Sequence, residues 1–333
     1  MFKKIVKFLT IGICFAVIIS VPCINKTVSV SADGVAEIAM ELESGRILHA
    51  KNIDAKLPMA STTKIMTALL VAEDCDLNEV ITVPDQAVGV EGSSIYLKKD
   101  ESISIKDLLY GLMLRSGNDA ACALAIHHSG SVEKFVEAMN AKAETIGAHD
   151  THFRNPSGLP DDEHYTTAKD LCNIARYAMS NQTFNEVVST RQYAGDFRYF
   201  LNKNKLLTAL EGANGVKTGY TQKAGRCLVS SAKRDNMDVV CVVLNCYDMY
   251  ERSGKIIENC FTNYSVETVG ADRIFEFNGR QCSLDTDCKV IVEKNKPLEF
   301  TVCPPDGEDN SIAKLEILCE NNLIFSHNLY TIN

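Results

Sequence analysis

Ser61-Thr62-Thr63-Lys64-Ile65-Met66-Thr67-Ala68-Leu69-Leu70-Val71-Ala72 is the stretch on which the fold turns. From Ile65 onward it is apolar nearly all round, the pattern of a helix buried inside a domain rather than lying on its surface. Toward the N-terminus, residues 35–50 alternate apolar and polar side chains around Glu43-Ser44-Gly45, which predicts a β-hairpin. Toward the C-terminus, residues 105–139 read as two or three helices, broken at Ser116-Gly117-Asn118 and at Ser129-Gly130. Thr167-Ala168-Lys169-Asp170 is a capping box, followed by the inner stripe Leu171, Ile174, Ala175 and Ala178. Short β-like runs return at 215–220, 226–232 and 238–244, and a last helix is predicted from about 252 to 269. Strands, then helices, then strands again imply an α/β sandwich: an antiparallel sheet built from both chain ends, with a helical subdomain inserted. Beyond Gly270 only short strands and turn residues remain. The expected organisation is a larger α/β domain over 33–271 and a small β domain over 272–333.

The first residues are of another kind. Met1-Phe2-Lys3-Lys4-Ile5-Val6-Lys7 is cationic, and the apolar run that follows, 8–21, is shorter than the roughly 18 residues of a membrane span. With small residues at Val30-Ser31-Ala32, residues 1–32 read as a signal peptide and the mature chain starts near Asp33. An uncleaved N-terminal anchor is the alternative, and it would be the only membrane attachment. Pro22 makes a poor lipobox of the residues before Cys23. The folded part is therefore expected outside the cytoplasm.

Without Lys3, Lys4, Lys7 and Lys26, the only charged side chains before Asp33, the formal charge of −9 becomes −13. Such a chain is repelled by phosphate backbones, which argues against a nucleic-acid partner. Any carboxylate ligand must be held by a local cation. Eleven of the thirteen cysteines lie beyond residue 32, an odd number that cannot pair completely. Cys122, Cys172 and Cys241 sit in apolar stretches and read as small core residues. Mostly free thiols outside the cytoplasm point to a reducing or anaerobic habitat.

Ser61-Thr62-Thr63-Lys64 also carries chemistry. Three residues apart at a helix start, Ser61 and Lys64 share one face, and a serine becomes nucleophilic only when a nearby base takes its proton. A lysine is such a base only where burial or neighbouring charge depresses its pKa. The Ser-x-x-Lys tetrad is not specific by itself; it recurs at Ser131, Ser230 and Ser311, where a cap followed by a surface lysine explains it equally well. Ser-x-Asn occurs at Ser116-Gly117-Asn118 and again at Ser326-His327-Asn328, and Lys217-Thr218-Gly219 occurs once. Only Ser61 yields the three elements in the order Ser-x-x-Lys, Ser-x-Asn, Lys-Thr-Gly.

With these three motifs in place, the chain resembles the serine-type D-alanyl-D-alanine carboxypeptidases among the low-molecular-mass penicillin-binding proteins. The stretch from Asp107-Leu108-Leu109-Tyr110-Gly111 into Ser116-Gly117-Asn118-Asp119 is similar to that family, as are Asn155-Pro156-Ser157-Gly158-Leu159 and His164-Tyr165-Thr166-Thr167-Ala168. The likeness runs from about Gly34 to Asn333. It implies a penicillin-binding-protein/β-lactamase-like α/β fold and removal of the terminal D-alanine from peptidoglycan stem pentapeptides. Ser61 would form the acyl-enzyme, Lys64 would be its base, and Ser116 would relay the proton to the leaving amine. Asn118 would position the peptide, and Lys217 with Thr218 would hold the terminal carboxylate. Backbone N–H groups of Ser61 and Tyr220 would form the oxyanion hole, and Arg252 is a candidate second carboxylate anchor. β-Lactams are expected as covalent inhibitors, with no cofactor and no metal. The amphipathic C-terminal helix by which many members are anchored does not follow Tyr330, so that attachment is not expected.

Three other readings compete. A class A-like β-lactamase shares the three elements, but the Glu-x-x-Leu-Asn segment it needs for fast deacylation is missing between Asn118 and Lys217. A zinc peptidase would need a motif such as His-Glu-x-x-His, which is absent, and the histidines read as surface or partly buried. An inactive wall-binding homologue would not be expected to keep Ser61, Lys64, Ser116 and Lys217.

Overall fold

The computed structural model describes residues 34–195, 198–306 and 310–332, so the expected signal segment lies outside the described residues. β1 (Ala36–Glu41) and β2 (Ile47–Lys51) form the predicted hairpin. β3 (Ala213–Thr221), β4 (Gly225–Arg234) and β5 (Met237–Leu244) join them in one antiparallel sheet of order β2-β1-β5-β4-β3. β1 lies against β5, so the sheet is closed from both chain ends as expected. β3 is left at the edge.

Between β2 and β3 come the inserted helices α1 (Lys64–Asp74), α2 (Ile105–Tyr110), α3 (Asn118–Ser129), α4 (Val132–Ile146), α5 (Ala168–Ser180) and α6 (Gln182–Ser189). Every side chain of α1 from Lys64 to Val71 is buried, as its all-round apolar sequence requires. The predicted break at Ser129-Gly130 is a left-handed glycine cap, and Ser131 starts α4 by accepting the Lys134 N–H at 3.3 Å. Thr167 caps α5 through the Asp170 N–H at 3.0 Å, while the Asp170 carboxylate accepts from Asp150 N and Thr151 Oγ1.

Strand register assigns the two faces of the sheet. Ile38, Val242, Val229 and Lys217 lie directly opposite one another across β1, β5, β4 and β3. Partners opposite one another project to the same side, and Ile38, Val242 and Val229 belong to the core shared with α1. Lys217 therefore faces the helices. One residue along, Glu37, Val243, Leu228 and Thr218 form the next row, on the face covered by α7 (Met249–Asn263).

The last helix is shorter than predicted. It ends at Asn263, and the chain continues as a strand, β6 (Tyr264–Val269). After Cys260 the apolar stripe of the helix is exhausted, whereas Tyr-Ser-Val-Glu-Thr-Val has the aromatic and β-branched composition that suits a pleated ladder. Six further strands follow: β7 (Phe275–Phe277), β8 (Arg280–Ser283), β9 (Cys288–Glu293), β10 (Leu298–Cys303), β11 (Ala313–Cys319) and β12 (Asn322–Thr331). β6 pairs with β9, and the others form a sheet of order β7-β8-β12-β11-β10 around a small core that includes Val290, Leu315, Ile317 and Leu329. The expected boundary near 272 falls in the loop after β6. All eleven described cysteines are free thiols.

Candidate active site

Ser61 does not stand in an α-helix. It lies in a 3-10 turn, Ala60–Thr63, that runs directly into α1. The residue before it, Ala60, has φ of +48°, a left-handed conformation uncommon for a residue with a Cβ. Lys64 Nζ is completely buried and has three polar neighbours: Ser61 Oγ at 3.0 Å, Asn118 Oδ1 at 2.7 Å and the carbonyl oxygen of Ser157. Burial pushes the Lys64 pKa well below its ordinary value, and the charges of Lys217 and Lys203 push it further the same way. The amide and carbonyl oxygens can only accept hydrogen bonds. They use the two N–H groups of a neutral amine and leave its lone pair for the Ser61 hydroxyl.

Each partner is placed by its own local device. Asn118 opens α3 just after Ser116, whose φ of +67° ends the π-helical turn Gly111–Arg115. π-turns inside helices recur at functional sites because they re-aim the side chains that follow. Asn118 Nδ2 donates to the Glu91 carbonyl at 2.6 Å, which orients its oxygen toward Lys64. Next to it, the buried Asp119 carboxylate accepts from Ser94 Oγ (2.6 Å), Ile95 N (3.0 Å) and Leu97 N (3.1 Å), pinning the adjoining loop.

Ser157 is delivered by the Asn-Pro-Ser-Gly-Leu turn. Asn155 Oδ1 accepts the N–H groups of Ser157, Gly158 and Leu159 at 3.2, 2.7 and 3.0 Å. Gly158 has φ of +84°, and a Cβ there would lie 1.9 Å from the Ala60 carbonyl oxygen. Only glycine lets this turn sit against the nucleophile segment.

Lys217 is 2% exposed, and its Nζ donates to the Thr218 carbonyl at 3.0 Å. Burial first, and then the Lys203 charge, lower its pKa to about 7. A Cβ on Gly219 would lie 3.1 Å from Ser61 N, so this strand edge and the nucleophile turn are in close backbone approach. Ser61, Lys64, Asn118 and the Lys217-Thr218-Gly219 edge thus converge on one place, and Ser116 stands two residues before Asn118.

The sequence profile described as D-alanyl-D-alanine carboxypeptidase matches residues 24–247. The chain belongs to the D-alanyl-D-alanine carboxypeptidase family. Among relatives of this serine carboxypeptidase family, the chain is 32% identical over 320 residues to D-alanyl-D-alanine carboxypeptidase DacF of Bacillus subtilis, covering 90% of this chain and 79% of that one. It is 28% identical over 260 residues to the D-alanyl-D-alanine endopeptidase of Escherichia coli, covering 74% of this chain and 84% of the relative. Penicillin binding protein 5 of Haemophilus influenzae is a structural neighbour, with a TM-score of 0.77, 27% identity and coverage of 90% and 96% of the two chains. The expected family and its α/β architecture are thereby established.

Within this carboxypeptidase frame the competing tetrads are structural. Ser131 is the α4 cap. Ser230 is buried in β4, and Lys233 pairs with Asp238. Lys314, three residues after Ser311, is held by Asp306 and Glu316.

Arg252 does not join the site. Its guanidinium forms a two-point pair with Glu37, Nε to Oε1 at 2.8 Å and Nη2 to Oε2 at 2.7 Å, on the α7 face of β1. In the row Glu37–Val243–Leu228–Thr218 that is three strand spacings from Thr218, roughly 14 Å.

His164 is another departure, being buried where a surface or partly buried ring was expected. Its Nδ1 accepts the Arg154 N–H at 3.0 Å, so Nε2 carries the proton and donates to Thr63 Oγ1 at 2.7 Å, which in turn donates to the Ala60 carbonyl at 2.8 Å. Desolvation lowers the His164 pKa to about 4. The ring is thus a neutral brace under the nucleophile turn. Asp119, Asn155, His164 and Lys203 were not singled out from sequence. The first three lie within the stretches that carry the family resemblance, whereas Lys203 has no local signal at all.

Proposed function

We propose that this protein removes the terminal D-alanine from peptidoglycan stem pentapeptides outside the cytoplasm, through an acyl-enzyme on Ser61. The observation that carries the reading is the fully buried Lys64 amine, 3.0 Å from Ser61 Oγ, with two pure acceptors occupying its N–H groups. In this reading neutral Lys64 takes the Ser61 proton as Oγ attacks the carbonyl of the penultimate D-alanine. The peptide lies along the open edge of β3, where unpaired backbone groups can hydrogen-bond an extended chain. The oxyanion meets the N–H groups of Ser61 and Tyr220, a reading supported by the close approach of Gly219, the residue before Tyr220, to Ser61 N. Asn118 aligns the stem, Lys217 and Thr218 hold the terminal carboxylate, and Ser116 passes the proton to the departing D-alanine. Water then cleaves the ester, with Lys64 again as base. Residues 1–32 serve as the export signal, 33–271 as the catalytic domain and 272–333 as its β appendage.

The test is release of D-alanine from a stem pentapeptide, together with peptide mapping after penicillin treatment. Release and a lasting adduct on the peptide containing Ser61 are expected, and Lys64→Arg abolishes both because arginine cannot act as a base near neutral pH. Rapid penicillin hydrolysis without an adduct would mean a β-lactamase. Neither adduct nor turnover would mean an inactive homologue.

A further inference from the structure

Thr218 lies opposite Leu228, and Tyr220 lies opposite Arg226. Leu228 packs in the core under α7, so by strand alternation Thr218, Tyr220 and Arg226 all project to that same face. Arg226 is therefore the diagonal neighbour of Thr218, with Cα atoms about 7–8 Å apart. An extended arginine spans that separation.

The space beside it is open. A cavity of about 540 Å³ is lined by Tyr220, Gly225, Arg226, Asn245, Tyr247 and Met249, with no acidic side chain among them. Tyr220 is 65% and Tyr247 79% exposed, and the Arg226 guanidinium carbon lies 5.1 Å from the Tyr247 ring centroid. Among the described residues Arg226 has this ring contact and no ion pair. Arg252, by contrast, is committed to Glu37.

We propose that Arg226 is a specificity-determining residue that reads the terminal carboxylate of the substrate together with Thr218, the departing residue facing the Tyr220–Tyr247 cavity. The proposal rests on the carboxypeptidase reading above. The chemistry is that of a forked, permanently charged donor meeting a planar carboxylate. Lys217 approaches the same group from the helix face of the edge strand and Arg226 from the α7 face. The carboxylate is then gripped from both sides of the sheet edge, and the local cation demanded by a chain of net charge −9 is doubled.

The experiment uses the mature enzyme with Arg226→Ala, Arg226→Lys and Arg252→Ala. D-Alanine or D-alaninamide release is measured from a pentapeptide ending in the free acid and from its C-terminal amide. Acylation is measured in parallel with benzylpenicillin and its methyl ester, which also differ in one carboxylate. Arg226→Ala should lower kcat/KM about tenfold or more for the acid and for benzylpenicillin, leaving amide and ester within twofold. Arg226→Lys should recover part of the loss, and Arg252→Ala should leave the acid-to-amide ratio unchanged. Equal losses for acid and amide, or a changed ratio in Arg252→Ala alone, would overturn the proposal. Absence of peptide turnover in the unmodified enzyme would count against the carboxypeptidase reading. The penicillin pair would still decide the role of Arg226.

Discussion

Activity should require two lysines in opposite protonation states. Lys64 must be neutral to accept a proton, and Lys217 must be charged to hold a carboxylate. Both are buried, and the charge of Lys217 is among the causes that lower the Lys64 pKa. The productive state therefore carries one proton on the pair, lodged on Lys217. With the Lys217 pKa at about 7, raising the pH to 9 leaves about one molecule in a hundred with that proton. The acylation constant for a carboxylate-bearing substrate should fall accordingly above pH 7. The fall levels off once the charge-assisted contact is lost, about 1.5–3 kcal/mol or roughly 10- to 150-fold. At lower pH the same constant falls as Lys64, whose pKa burial and the Lys217 charge hold well below its ordinary value, takes up a proton, which gives a bell whose limbs belong to the coupled pair. The assay is the pH profile of kcat/KM, which reports the free enzyme, for unmodified protein and Lys217→Arg. Arginine does not titrate in this range, so the alkaline limb should disappear while the acid limb stays. An alkaline limb that survives in Lys217→Arg would refute the assignment of that proton.

Two further outcomes follow from the support under the nucleophile. Gly158→Ala places a Cβ 1.9 Å from the Ala60 carbonyl at φ of +84°; the left-handed backbone alone costs about 1–2 kcal/mol. Acylation by a fluorescent penicillin should slow at least tenfold in protein that still melts cooperatively, and wild-type acylation would show that the turn is not needed to seat Ser61. His164 has a folded pKa of about 4 against an unfolded value near 6.5, so its contribution is complete above pH 6.5 and is lost as the pH falls toward 4. At pH 4.5 that loss is about 2.5 kcal/mol relative to neutral pH; His164→Gln should flatten the corresponding part of the stability–pH curve measured by denaturant titration, and an unchanged slope would mean that other groups cause it.

The parts legible in the sequence were those with local signals. The β1–β2 hairpin, the burial of α1 and the cap at Thr167 follow from patterns within a few residues. The order of three short motifs located Ser61, Lys64, Asn118 and Lys217. What escaped was whatever depends on register or on backbone atoms. The Ser157 carbonyl beside Lys64 has no side-chain signature, and Arg252 could be separated from the Lys217-Thr218-Gly219 edge only once Glu37 and Thr218 were seen three strands apart. Residues 264–269 read as helix because the ladder partner that makes them a strand, β9, comes two dozen residues later.

The thiols bear on how the molecule matures. With all eleven described cysteines free, and Cys172, Cys227 and Cys260 buried at pKa values of about 12, no covalent crosslink shortens the unfolded chain among the described residues. Acquiring the native state then waits on no oxidant and on no disulfide shuffling, steps that take seconds to hours in crosslinked secreted proteins. Thiols this protonated are also poor nucleophiles, which spares them from mixed disulfides once the core has closed. A reductant should leave both the yield and the melting temperature of the purified protein where they were.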